Sequence, residues 1–441
     1  MRPPIPDRTL EPDPQSRAGR TAGLPPDARW HTAEQVLCSV VLIAVGARQF
    51  FPLSSYSGYG VTSGYLLAFA CLPVWVRVLR NYTSARLLAA TGLFALACGL
   101  LLVWDSSATH ALSRPDLSTT VALLVGSLLG MGVVLWGRVV LPPTAVPLLF
   151  GLGMFIDGAT GAGRFSPDPW KFAWGVPVAV ITLSLVAGTG RQWSQLVALL
   201  ALAAVSAAFD SRSYFAAFLF SAVLILWQMR PGSATRGSWA STAVLLAATG
   251  AAIYFLGTQL LVEGALGAQT QARSLEQIRQ AGSLLLGGRP ELAATIALFL
   301  YRPFGFGPGV VPAYSDISAA KAGMLRINYD PNNGYVDTYL FGTHIELHST
   351  LGDLWSAFGV GGIAVAGVVL AVTVRGTAEA IARRCATGLM VFLASWSLWN
   401  LFFSPFYASA STLVLATGLL LRARKKPPRL LPAPPNGLNP S

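Results

Sequence analysis

GGRPELAATIALFLYRPFGFGPG (Gly287–Gly309) and HIELHSTLGDLWSAFGVGG (His344–Gly362) gather arginine, histidine, acid and glycine in a chain that is otherwise apolar. Both belong to, or run out of, a polar block spanning Glu263–His348. The contrast between that block and its flanks decides the fold class. The chain is 53% hydrophobic and only 11% charged, whereas an ordinary soluble domain has roughly 25% charged residues. Its apolar runs of about 18–24 residues match the length needed to cross ~30 Å of hydrocarbon. A porin-like barrel would instead show ~10-residue alternating segments, and none is visible. The expected fold is therefore all-α, a polytopic membrane protein with about twelve spans.

The spans are expected near 34–51, 59–79, 86–104, 117–137, 139–156, 170–188, 193–209, 213–229, 239–262, 349–374, 386–403 and 405–421. The fifth is interrupted by Pro142, Pro143 and Pro147, and it follows the fourth so closely that the two form a tight hairpin. The expected organisation is a disordered cytoplasmic tail (1–33), nine membrane helices (34–262), an extracytoplasmic catalytic loop (263–348), three further helices (349–421) and a basic, Pro-rich cytoplasmic tail (422–441). The first tail is rich in Pro, Arg and Asp. No cleavable signal peptide is evident, so the first apolar run reads as an uncleaved span.

A cytoplasmic N-terminus puts twenty of the 31 Lys and Arg residues on inner segments and five in the short outer loops. That bias satisfies the positive-inside rule and places both termini inside. The net charge of +12 is spread over helix ends, where orientation and lipid headgroups explain it, and does not indicate nucleic acid. Cys38, Cys71, Cys98 and Cys385 form no metal-ligand or disulfide pattern and read as small core residues.

Within the block, Ala268–Leu286 reads as one helix broken by Gly287 and Gly288. A second runs from Pro290 to Tyr301, with Leu292, Ile296, Phe299 and Leu300 as its apolar stripe. Pro290 suits the first helical position because its missing N–H would be unpaired there anyway. Arg302 and Pro303 end the helix. The FGFGPG loop follows, and Gly305 and Gly307 let backbone approach a ligand closely. Asp330, Asn332, Asn333 and Gly334 mark a turn in the polar stretch beyond it.

Arg289 precedes a helix start, where free N–H groups already carry partial positive charge. An arginine there is unfavourable unless an anion joins it, so it reads as a phosphate clamp, or else as a solvated loop residue. Arg212, in the DSRS turn, repeats the situation near the membrane surface. It either snorkels to headgroups or binds a lipid-linked phosphate. Asp210 or Ser211 would cap the following helix. Arg302 at a helix end already suits the dipole. His348, at the start of a span, can take a proton from a hydroxyl near neutral pH, and Glu346 and Asp353 are acids that could orient or replace it. His344 and His348 at i, i+4 also permit a metal reading, but on a helix Glu346 would point away from both, so no metal is expected.

These residues resemble the O-antigen ligase / polysaccharide polymerase superfamily of multispanning glycosyltransferases. Ser211–Arg212 matches its SR turn. Gly288–Arg289 through Arg302, Pro303, Gly305 and Gly307 matches its GR…RP-x-G-x-G segment. His348–Ser349 through Gly359–Gly362 matches its histidine and later G-x-G-G, with Ser349 where many members carry asparagine. The resemblance covers about 210–370 well and the first half by hydropathy alone. It implies a C-type glycosyltransferase fold in the bacterial cytoplasmic (inner) membrane. The donor would be a glycan on polyprenyl pyrophosphate, and a lipid or glycan would supply the acceptor hydroxyl. Arg212, Arg289 and Arg302 would hold the pyrophosphate, with Gly305 and Gly307 in support. His348 would be the base, with Glu346 and Asp353 beside it. No cofactor or metal is implied, since arginines can supply the charge stabilisation. Ligation to a lipid, as in lipopolysaccharide assembly, and polymerisation of repeat units both fit. A transporter or flippase is the alternative of another class, but such proteins place their polar groups mid-membrane.

Overall fold

In the computed structural model, residues 26–48, 60–230, 239–264, 267–332, 334 and 336–424 are described. Asn333, most of the expected N-terminal tail and nearly all of the C-terminal tail lie outside them. The helices in chain order are α1 (Pro26–Gly46), α2 (Ser63–Ala70), α3 (Leu72–Trp75), α4 (Ala85–Ser106), α5 (Arg114–Val140), α6 (Ala145–Thr160), α7 (Gly175–Gly188), α8 (Gln192–Ala208) and α9 (Arg212–Gln228). They continue with α10 (Trp239–Val262), α11 (Ala268–Ala281), α12 (Leu284–Gly288), α13 (Glu291–Tyr301), α14 (Tyr314–Leu325), α15 (Thr350–Ala382), α16 (Gly388–Phe403) and α17 (Phe406–Leu420). No strand occurs among the described residues.

Among the described residues, five helical stretches are long and apolar enough to cross a bilayer: Ala85–Ser106, Arg114–Val140, Trp170–Gly188, Trp239–Val262 and Thr350–Ala382. A sixth results if Ser63–Ala70 and Leu72–Asn81, bent by 54°, count as one. The other expected spans fall on apolar helices of 10–17 residues. Chain breakers explain some of the ends. α5 stops before Pro142 and Pro143, and α6 begins at Ala145, giving the expected short connection. α1 starts earlier than expected, at Pro26, where proline fits a first turn.

One large apolar core runs through the bundle, joining residues such as Leu42, Trp136, Phe150, Phe218, Phe358 and Phe392. The polar block has a second, smaller core of its own. Ala294 and Leu298 of α13 meet Ala320 and Met324 of α14, with Phe306, Leu340, Leu347 and Trp355. This corrects the sequence reading twice. α14 was not anticipated at all. Ile296, Phe299 and Leu300 of the expected stripe are exposed, while Glu291, Ala294 and Leu298 face inward. The stripe argument assumed water outside the block; beside a bilayer, bulky apolar groups can face outward while small ones pack helix on helix. Gly323 shows this, sitting so close to α13 that an added Cβ would lie 2.4 Å from that of Ala297.

α11 also ends sooner than expected. Gly282 takes φ +72° and donates its N–H to the Ile278 carbonyl at 2.8 Å, a left-handed glycine stop.

α15 is the element that joins bundle and block. It is interrupted at Gly359, whose φ of 55° and ψ of −135° are non-helical. A break leaves carbonyls without their helical donors, and such groups are costly at membrane depth unless protein satisfies them. Here the Ser356 carbonyl accepts the N–H groups of Phe306 at 2.8 Å and Gly307 at 2.9 Å. The Trp355 indole donates to the Pro303 carbonyl at 2.9 Å. The FGFGPG loop therefore serves packing. Gly305 and Gly307, at φ +90° and +109°, bring backbone against α15 and α4. Past the loop, Val311 N–H bonds the Ala111 carbonyl at 3.0 Å, tying the block to the start of α5.

A Cβ at Gly305 would lie 2.5 Å from the Trp355 carbonyl oxygen, whereas at Gly367, also in α15, it would meet nothing within 4 Å. Gly305→Ala should therefore lower the Tm of the purified protein by several degrees. Gly367→Ala should leave it unchanged or raise it slightly, as helix propensity favours alanine by roughly 1 kcal/mol. A thermal-shift comparison of the two decides.

Candidate functional site

His348 stands on a shoulder built by two hydroxyls and one buried carboxylate. Ser349 caps α15, accepting the Gly352 N–H at 3.2 Å, and donates to the Leu401 carbonyl at 3.2 Å. Thr350 donates to the Ser404 carbonyl at 3.0 Å. Asp353 accepts the Leu347 N–H on one oxygen and the Phe406 N–H on the other, both at 2.8 Å. It thus clamps the backbone before His348 to the start of α17. Asp353 thereby positions His348. His348 itself adopts φ +49°, a left-handed conformation uncommon for a residue with a Cβ, held by its surroundings.

Residues 344–348 are not helical, which removes the premise that Glu346 points away. Glu346 lies between the two imidazoles, 3.6 Å from His344 Nε2 and 3.6 Å from His348 Nε2. The Glu346 carboxylate holds the His344 pKa above the ordinary histidine value, with Asp116 also contributing. No group of three or more His, Cys, Asp and Glu among the described residues is arranged to hold a metal ion.

The two arginines flagged at helix starts share one cationic cluster. Arg212 Nε is 3.5 Å from Asp210, and its Nη1 donates to the Ser274 hydroxyl of α11 at 3.3 Å. Its Nη2 is buried without a hydrogen-bond partner among the described residues, a donor such as native structures seldom leave unmet. Arg273 reaches the other oxygen of Asp210 at 3.6 Å. Arg289, Arg273, Asp168 and Asp210 all lie within electrostatic reach of the Lys171 ammonium. Ser211 occupies the cap position of α9, but its hydroxyl donates to Asp168 at 3.1 Å and makes no cap bond. Gly287 lets the turn before Arg289 press on α11, since a Cβ there would lie 2.2 Å from the Gln277 carbonyl oxygen.

One end of α16 is the platform where these pieces meet. Tyr214, two residues after Arg212, stacks on Trp396 with ring centroids 4.2 Å apart. The Arg289 guanidinium lies over Trp399, 5.6 Å from its centroid. Leu401, two residues further on, carries the carbonyl that accepts from Ser349. Trp396, Trp399 and Leu401 span about 8 Å of helix axis at ~1.5 Å per residue. The α9 start, Arg289 and the His348 shoulder thus all touch the second half of α16.

Arg302 is placed elsewhere. The length of α13 holds it roughly 20 Å from Arg289 along the helix axis. Its guanidinium is engaged by Asp105 at 3.0 Å, Ser106 at 2.8 Å and His110 at 3.4 Å. His110 in turn pairs with Asp316 at 2.9 Å. This network ties α4, α13 and α14 together, and it accounts for Arg302 without a ligand. Sequence reasoning overlooked His110 and Asp316, and also Lys171 and Arg273. Lys171 left one trace: it was among the few cations assigned to the outer loops.

No protein-family model matches the chain, and neither a curated protein nor a solved structure does.

Glu346→Gln should lower the titration midpoint of His344, read by NMR of ring-labelled histidine in a chain with only four histidines. Because the folded pKa is raised, the pair contributes stability below the unfolded value and loses it as pH rises through the folded one. An unmoved midpoint would refute the Glu346 assignment. Asp353→Asn puts a donor against one of the two N–H groups, so it should destabilise the protein by about 1–3 kcal/mol, checked by thermal unfolding.

Proposed function

We propose that this chain is a glycosyltransferase of the O-antigen ligase / polysaccharide polymerase type. It acts on the outer face of the bacterial cytoplasmic membrane, with about twelve spans and both termini cytoplasmic. The donor is a glycan on polyprenyl pyrophosphate, and the acceptor is a hydroxyl on a lipid or on another glycan. The observation that carries this reading is the shared end of α16. Its residues touch the start of α9, which carries a buried, unmatched Arg212 donor, then Arg289, then the shoulder of a histidine held beside a carboxylate.

The chemistry follows from the parts. Arg212 and Arg289 grip the pyrophosphate through charge-assisted hydrogen bonds. The acceptor oxygen attacks the anomeric carbon as its proton passes to His348. The bond from that carbon to the pyrophosphate oxygen breaks, and polyprenyl pyrophosphate leaves with the electron pair. Charge on the leaving group is met by guanidinium donors already in place. Glu346 stabilises the imidazolium that forms and orients the ring. Arg302, Gly305 and Gly307 serve by shaping the block, and Asp353 by fixing the backbone before His348. Ligation and polymerisation would use the same steps and differ in the acceptor.

His348→Ala should reduce glycan transfer in membranes by at least about 100-fold, the lower end for a general base, with protein level unchanged. Arg289→Lys should also be severely impaired, since lysine lacks the planar fork. Transfer assays with the lipid-linked donor check both, and near-normal transfer by His348→Ala would sink the base assignment.

A further inference from the structure

We infer that Lys171 and Arg273 complete the anion site begun by Arg212 and Arg289, and that together the four select a pyrophosphate diester over a monophosphate diester. This rests on the functional reading above and extends it to specificity. Arg212 and Arg273 share Asp210 at 3.5 and 3.6 Å, and Arg273, Arg289, Asp168 and Asp210 all act electrostatically on the Lys171 ammonium, so four cations gather around two carboxylates. The formal excess is two positive charges. Neither carboxylate is wholly available, because Asp168 also accepts the Ser211 hydroxyl at 3.1 Å and the Lys171 N–H at 2.9 Å. Arg289 makes no ion pair among the described residues and rests on Trp399. The nearest further acid in sequence, Glu291, is buried on the face of α13 that carries Ala294 and Leu298.

Like charges gathered near a membrane surface repel one another, and the repulsion is relieved by an anion of matching charge. A sugar–pyrophosphate–polyprenol carries two negative charges on its linkage; the corresponding sugar–phosphate–polyprenol carries one. The excess therefore fits the first. The geometry supports the same choice, because the four cations come from separate elements: the π-helical segment Trp170–Trp174 that leads into α7, the start of α9, α11 and the residue before α13. A ligand spanning two phosphoryl groups can engage all of them, whereas one phosphoryl group reaches fewer.

The test is direct binding to the full chain in nanodiscs. The probes are a sugar–pyrophosphate–polyprenol and the same sugar on a single phosphate. Lys171→Gln and Arg273→Gln should each weaken binding of the pyrophosphate probe roughly tenfold, the scale of one charge-assisted hydrogen bond. Binding of the single-phosphate probe should change less than about threefold. Lys171→Arg should retain affinity, which separates lost charge from lost fold. If the wild type prefers the pyrophosphate probe but both Gln variants bind like it, this inference is overturned and the functional reading stands. If the wild type shows no preference, the charge argument falls. If it binds neither probe, the functional reading falls with it.

Discussion

A carbonyl released from its helix needs another donor, and in hydrocarbon there is no water to provide one. The break in α15 at Gly359 releases such groups, and the backbone of the FGFGPG loop answers at Ser356. That exchange fixes the polar block to the bundle. It sets the direction of α13, and with it the placement of Arg289 at one end and Arg302 at the other. It also leaves the first turns of α15 free to present His348 beside the end of α16. Arg302 then secures the same junction from the α4 side through Asp105, Ser106 and His110.

The site is assembled from helix ends. Ser211 and Ser349 each begin a helix, and each follows a left-handed residue, Asp210 or His348. The tight reversal lets a helix start at the edge of the bundle while its first residues stay in the polar layer. The two turns then diverge in chemistry. Ser349 makes the cap bond expected of it, and its α15 start is locked by Asp353. Ser211 gives its hydroxyl to Asp168, so the α9 start is held by the cationic cluster. One turn is rigid and carries the histidine. The other is an electrostatic compromise in which two arginines share Asp210 at 3.5 and 3.6 Å. Partly exposed pairs of that length contribute little to stability.

The opposite end of the bundle is also basic, and there the protein supplies contacts for several of its arginines. Glu379 takes Arg375, Arg383 and Arg422. Arg138 donates to the carbonyls of Gly418 and Leu421 at 2.6 and 2.7 Å. Cations at that end close helix termini and meet acids. At the α16 platform the Arg212 Nη2 is instead buried without a hydrogen-bond partner among the described residues, which marks it as a candidate ligand-binding group.

Hydropathy and turn chemistry determined the helical class and the approximate place of each apolar helix. They also marked Arg212 and Arg289, because arginine at a helix start conflicts with local electrostatics, and His348, because an imidazole at the start of a span can accept a proton near neutral pH. The conflict could not reveal what resolves it. That Arg302 meets Asp105 and His110, and that Lys171 and Arg273 join the arginines, depend on pairs far apart along the chain, while Glu346 sits between two histidines because residues 344–348 are not helical. The outward-facing stripe of α13 was misread for a related reason: periodicity reports which residues share a face, while the medium and the neighbours decide which way that face turns. Tertiary structure alone settled those pairings, since charges and apolar faces act over a few ångströms of space and are indifferent to their separation in sequence.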